Sequence, residues 1–265
     1  MSAALPIRMV EKPWGRDVLP PPFTAPAGQR IGEIWFEPPP QLPQLLVKYL
    51  FTSDKLSVQV HPSDAQLPGH GKEECWLVID AEPGAALGVG FRQAITRAAM
   101  HEAALDGSIE QLLDWHPVQA GDFFYIPAGT VHAIGAGVSL IEVQQTSEVT
   151  YRLYDYGRPR ELHLADGLAV ARGEPHPPSL RRSVPDEGTI TLVDGPLFRL
   201  DRLEGPPDAP VVARYGNAAV LAIPNQGDIV IDGETIAPGS CGIAPSLDAI
   251  HFASGGFCLI AQPCK

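Results

Sequence analysis

Leu56-Ser57-Val58-Gln59-Val60-His61-Pro62 is followed by Gly71-Lys72-Glu73-Glu74-Cys75-Trp76 and, much later, by Ile126-Pro127-Ala128-Gly129-Thr130-Val131-His132-Ala133. In an extended strand alternate side chains share a face, so Ser57, Gln59 and His61 point one way and Val58 and Val60 the other. The second segment repeats the device: Lys72, Glu74 and Trp76 alternate with Glu73, Cys75 and Leu77, ahead of the apolar run Leu77-Val78-Ile79. The third delivers His132 just beyond a Pro-Ala-Gly turn. Each residue taken singly is more often an ordinary hydrogen-bonded side chain than a ligand. A carboxylate at the head of an apolar strand, however, is costly to bury unless it is paired or bound to a metal, so Glu74 needs a partner. Two imidazoles, one carboxylate and one amide oxygen converging inside a small barrel make a site for a hard-to-borderline divalent cation, with positions open for water or substrate.

The chain has 265 residues, 45% of them hydrophobic, enough for one large core or two small fused ones. Its formal charge of −12 argues against nucleic acid or an anionic membrane as partner, since both require basic surface. Any phosphate must therefore meet a local basic pocket. Ser2 to Gln29 shows no basic start followed by an apolar core, and nowhere do about 18 apolar residues run together, so a cytoplasmic protein is expected. Cys75, Cys241, Cys258 and Cys264 lack paired metal spacing and read as reduced thiols, with Cys75 turned away from the Glu74 face. The sequence carries no signal for an oligomeric state.

The 28 prolines and 26 glycines, scattered between short β-branched runs, point to an all-β architecture. Strands are predicted at 31–36, 45–51, 56–61, 74–79, 123–126, 138–145 and 151–155, and helical periodicity at about 95–114 and 164–171. Pro175-His176-Pro177-Pro178 and Arg181-Arg182 mark a linker, dividing residues 1–175 from a second β-rich unit at 176–265. That unit echoes the first. Ala120-Gly121 to His132 aligns with Pro238-Gly239 to Ile250, placing Pro245 under Pro127 and Ile250 under His132. Leu77–Asp80 aligns with Ile229–Asp232, which sets Gln226 under Glu74. The second unit thus keeps the turns and loses the ligands, and His251, one residue out of register, faces away.

The strings LSVQVHP, GKEECW, YIPAGTVHA and SEVTYRLYDYGR resemble those of the type I phosphomannose isomerases, zinc-dependent cupins that interconvert mannose 6-phosphate and fructose 6-phosphate. Lys12-Pro13-Trp14-Gly15 and Ile31-Gly32-Glu33-Ile34-Trp35 match the family's opening segments, and the resemblance runs from about Lys12 to Arg158. It implies a double-stranded β-helix (cupin) barrel with a small helical insertion, a degenerate second barrel, and a short form lacking the helical domain of the eukaryotic enzymes. It also implies Zn2+ on Gln59, His61, Glu74 and His132, with Arg152 as the catalytic arginine. Glu33 aligns with a family acidic residue near the substrate. Lys72, on the Glu74 face, is a second candidate base or a phosphate ligand, since a neighbouring zinc would favour its neutral amine.

Such an isomerase moves a proton between C2 and C1 through an enediol, so it needs a base near the carbon acid and positive charge near both oxygens. Arg152 suits the second role because a guanidinium stays charged; its alternative is a surface ion pair with Asp155 or Glu148. Ser57, Lys72 and Arg158 are the expected phosphate donors, and Trp14 is either a wall for the sugar or a core residue. Two other functions fit the same residues: an isomerase of another sugar or sugar phosphate, and a non-catalytic sugar-binding cupin.

Overall fold

The computed structural model describes residues 2–252 and 255–264. In chain order the first part runs β1 (Ile7–Arg16), β2 (Ile31–Phe36), β3 (Leu45–Phe51), β4 (Val58–Val60), β5 (Glu74–Ala81), β6 (Ala86–Phe91), α1 (Arg97–Asp106), α2 (Ile109–Leu112), β7 (Leu113–Pro117), β8 (Asp122–Ile126), β9 (His132–Ile134), β10 (Val138–Gln145), β11 (Tyr151–Tyr154), α3 (Leu164–Val170) and β12 (Arg181–Ser183). The second part runs β13 (Ile190–Asp194), β14 (Phe198–Glu204), α4 (Ala209–Tyr215), β15 (Val220–Gln226), β16 (Ile229–Ile231), β17 (Glu234–Ile236), β18 (Gly242–Ala244), β19 (Ile250–Phe252) and β20 (Phe257–Pro263).

Two sheets, ordered β1-β2-β3-β10-β5-β8-β12 and β11-β4-β9-β6-β7, make the first barrel. Two more, β13-β14-β20-β15-β18 and β17-β16-β19, make the second. This is the all-β cupin architecture the sequence implies. Strands β2, β3 and β10 match their predicted ranges to the residue. The expected long helix at 95–114 is instead α1 and α2 followed by β7. Thr96 caps α1 by accepting from Ala99 N (3.1 Å), and Gly107, with φ +82, ends it against Tyr154, whose ring a Cβ there would meet at 2.8 Å. None of the described helices is long and apolar enough to cross a membrane.

Strand pairing shows the repeat directly. β5 lies between β10 and β8 as β15 lies between β20 and β18, and β6 lies between β7 and β9 as β16 lies between β17 and β19. Ile250 opens β19 as His132 opens β9, in agreement with the echo. The other half of that alignment needs correction: Ile229–Ile231 answers to β6, not to β5, and Gln226 is not the counterpart of Glu74. Glu74 pairs with Ile126 at the end of β8, and Val220 pairs with Ala244 at the end of β18, so buried Val220 takes that place.

The expected linker is also more tightly held than its prolines suggest. Thr130 bridges Arg172, Gly90 bridges Pro175, His176 Nε2 donates to the Tyr125 carbonyl (2.8 Å), and β12 pairs with β8. Hydrogen bonding to the first barrel therefore continues through β12 to Val184, whose N donates to the Gly121 carbonyl (2.8 Å). A single core cluster spans both barrels, joining Phe36, Tyr49, Phe51, Leu77 and Val143 to Phe198, Leu200, Leu221, Ile223 and Leu259. Each fully buried side chain of this size contributes about 1.5–3 kcal/mol, so cutting the chain after Ser183 strips a whole apolar face. Such a fragment is expected to sediment or bind a hydrophobic dye; a soluble, monodisperse fragment would show that the second barrel has another task.

Candidate active site

His61, which follows β4, comes together with Glu74 of β5 and His132 of β9, one ligand atom from each lying within 4.8 Å of the others. All three are buried. His61 Nδ1 donates to the Val149 carbonyl (2.8 Å) and His132 Nδ1 to the Thr130 carbonyl (2.9 Å), which puts the lone pair of each ring on the Nε2 beside Glu74, where that of His61 accepts from Lys72 Nζ (3.2 Å). Nε2 of His132 is 3.4 Å from Glu74 Oε1, and that of His61 is 3.6 Å from Oε2. These separations are close to the edge of a tetrahedron with metal–ligand bonds of about 2.1 Å. Both Glu74 oxygens are buried without a hydrogen bond. Their neighbouring cation is Lys72, whose Nζ lies 2.7 Å from Oε2 in a buried ion pair and 3.2 Å from His61 Nε2.

The protonation states suit a cation. Burial, reinforced by the Lys72 charge, holds the His61 pKa well below the usual imidazole range, and burial also lowers that of His132 despite Glu74. Burial would raise the Glu74 pKa, but the Lys72 ammonium beside it outweighs this and the net shift is downward. Two neutral imidazoles and a carboxylate are thus ready as ligands. Gln59 completes the group at one side: Oε1 accepts from Ser57 Oγ (3.0 Å) and Nε2 lies 3.3 Å from His132 Nε2. Exchanging the two amide atoms turns its oxygen toward the same point, a rotation that costs one hydrogen bond. Cys75 faces away, as expected, with Sγ 3.5 Å from the Val143 carbonyl.

Gln59 and Lys72 separate this centre from a cavity that Trp14, Glu33, Ser57 and Arg152 also line. Burial alone would lower the Lys72 pKa, yet Glu74, Glu142 and Glu33 raise it, so in the protein without a cation this amine is protonated, opposite to the neutral form expected beside zinc. Trp14 is at once core residue and cavity wall, being 2% exposed. Four cavity cations have a carboxylate within 4.0 Å: Lys12 with Glu33, Lys48 with Glu142, Lys72 with Glu74 and Arg160 with Asp155. Arg152, on β11 opposite Gln59, has none among the described residues, so the surface ion pair weighed for it does not form. Burial and the neighbouring Arg160 charge both lower its pKa, a tension that an anion would relieve.

Arg158 requires a correction. Its guanidinium is bound to Asp54 Oδ2 (2.6 Å), the Lys55 carbonyl (2.8 Å) and Asp155 Oδ1 (3.1 Å), and it lies outside the cavity. Tyr156 and Gly157, with φ of 56° and 73°, reverse the chain there, and Arg160 is the arginine that returns to the cavity. Arg158→Ala is accordingly expected to leave KM for a sugar phosphate within about twofold while lowering the melting temperature, checked by steady-state kinetics and thermal unfolding. Sequence reasoning also missed Lys48 and Glu142, paired across β3 and β10, although a lone charge in LLVKYLF and another in VSLIEVQQ are the signal a buried ion pair leaves.

Fold and site together define a two-barrel cupin with, among the described residues, one His-Glu-His centre behind a basic cavity. No family model matches the chain. It is 38% identical over 207 residues to the mannose-6-phosphate isomerase of Streptococcus mutans, an alignment covering 73% of this chain and 65% of that protein. The chain thus spans about 65% of the length of the curated relative. Among solved structures it is similar to the mannose 6-phosphate isomerase of Bacillus subtilis (TM-score 0.78, 24% identity, 98% of each chain). A zinc-bound mannose 6-phosphate isomerase shares the fold at TM-score 0.70 and 14% identity, over 99% of each chain. The chain is thus similar in sequence, over part of its length, and in fold to mannose-6-phosphate isomerases.

Proposed function

We propose that the chain is a zinc-dependent aldose–ketose isomerase acting on mannose 6-phosphate and fructose 6-phosphate. The observation that carries this reading is a fully buried carboxylate held between two correctly oriented imidazoles at the back of a cavity in which Arg152 is the cation without a carboxylate partner among the described residues. His61, Glu74 and His132 would hold the zinc, with the Gln59 amide as the weakest ligand. When bound, the ion supplies Lewis acidity toward the sugar oxygens.

The chain's own groups do the rest. Arg152 presents a permanent charge to the enediolate. Lys72 and Glu33 are the candidate proton carriers; Glu33 is oriented by the Trp35 indole NH and by Lys12 (3.3 Å). Lys48 and Glu142 keep the floor rigid through a 3.0 Å ion pair, with the Trp76 indole donating to the other Glu142 oxygen (3.1 Å). In a chain of charge −12, the cluster of Lys12, Lys48, Lys72, Arg152 and Arg160 supplies the local field that attracts a phosphate.

The test is a coupled assay of mannose 6-phosphate consumption before chelation, after it, and after zinc return. Loss and recovery of turnover are expected. Zinc-loaded protein that leaves mannose 6-phosphate untouched overturns the substrate assignment and favours another sugar or a binding role.

A further inference from the structure

The second barrel has lost the metal ligands but not a polar end. Asp201 of β14 faces Ile260 of β20 as Lys48 of β3 faces Glu142 of β10, so Asp201 occupies the place of Lys48 in the other barrel. It is fully buried, forms an ion pair with Arg214 of α4, and leaves Oδ1 without a hydrogen bond. Arg214 Nη1 also donates to Thr191 Oγ1 (2.7 Å). Two residues before Asp201, Arg199 faces Gln262 and donates through Nη1 to the Arg214 carbonyl. The guanidinium carbons of Arg199 and Arg214 lie 5.8 and 5.7 Å from the centre of one ring, that of Tyr215.

The two arginines differ in one respect. Arg214 is neutralised by Asp201, whereas Arg199 has no carboxylate within 4.0 Å among the described residues, and its buried Nε has no acceptor. Both line a cavity of about 700 Å³ whose rim carries the amides of Gln44 and Asn217. Packing alone does not call for these charges, because apolar Val220 and Ile250 fill the places of the first barrel's ligands. A half-buried guanidinium without a counter-charge is destabilising, and it is stabilised by an anion that accepts from its planar fork.

We propose that this cavity binds a small multivalent anion, a phosphate monoester or a short polycarboxylate, with Arg199 as the principal donor and Arg214, held by Asp201 and Thr191, as the second charge. The site is metal-free and does not rest on the function proposed for the first barrel.

Calorimetric titration of the full chain with inorganic phosphate, and separately with citrate, at constant ionic strength tests it. Wild-type protein should bind phosphate or citrate, with a component that weakens at least tenfold in Arg199→Gln while mannose 6-phosphate turnover in that variant stays within twofold of wild type. Binding of phosphate alone assigns a phosphate monoester, and binding of citrate alone a carboxylate. Crystals of the wild-type chain soaked in tungstate should show the anion between Arg199 and Arg214, a readout that stands even where the variant fails to fold. Identical isotherms for wild type and folded Arg199→Gln, or tungstate confined to the first barrel, overturn the proposal.

Discussion

Alanine at His61 or at His132 is expected to strip the metal from the protein and bring turnover to the assay background. A tetrahedral centre seldom survives the loss of one imidazole, and here each ring is aimed by a single carbonyl, Val149 or Thr130. The fold should persist, because the Lys72 ammonium already lies against Glu74 and balances its charge. Glu74→Gln should be nearly as damaging, whereas Gln59→Ala, which removes only a neutral amide oxygen, should be the mildest. Metal content by atomic emission after gel filtration, read beside circular dichroism, decides the matter. About one zinc per wild-type chain is the expectation, and full occupancy in either histidine variant would remove that residue from the ligand set.

Arg152→Ala and Arg152→Lys should both keep the zinc and change KM only modestly, while kcat falls by about 10²-fold or more, the usual cost of one transition-state donor. The lysine variant should behave like the alanine one, because a compact ammonium does not reproduce a planar fork. That Arg152 alone among the cavity cations has no carboxylate partner among the described residues makes it free to act on substrate, but it also fits a grip on the phosphate. The second role has its own signature: KM for mannose 6-phosphate rises sharply and kcat hardly moves. Steady-state kinetics on the two variants separates them, and an unchanged kcat takes Arg152 out of the catalytic set.

Much of this was legible in the chain because strand periodicity and ligand spacing reinforce each other. The alternation in Ser57-Val58-Gln59-Val60-His61 puts the polar residues on one face, as the structure does, and the apolar runs at 45–51 and 138–145 are strands that both barrels bury. What escaped depended on contacts distant in sequence. Arg158 and Arg160 differ by two positions, and only the left-handed backbone at Tyr156 and Gly157 decides which of them reaches the cavity. The Lys48–Glu142 pair joins residues 94 positions apart. Register in the second barrel slipped because Leu77-Val78-Ile79-Asp80 and Ile229-Val230-Ile231-Asp232 have the same apolar pattern in strands with different neighbours. The strap at 172–183 read as a linker because prolines mark turns without revealing what the turns lie against.

The hydrogen bond from His61 to the Val149 carbonyl joins two parts of the site usually thought of separately. Val149 stands three residues before Arg152, in the short segment that leads into β11, so the peptide that selects the histidine tautomer also sets where the guanidinium emerges. Metal retention and charge placement are therefore mechanically linked through one stretch of main chain. An insertion or proline between Thr146 and Thr150 cannot reshape the substrate side without also disturbing the ligand side. The cavity wall has freer routes to change through β1 and β2, whose Trp14 and Glu33 border it without touching His61, Glu74 or His132.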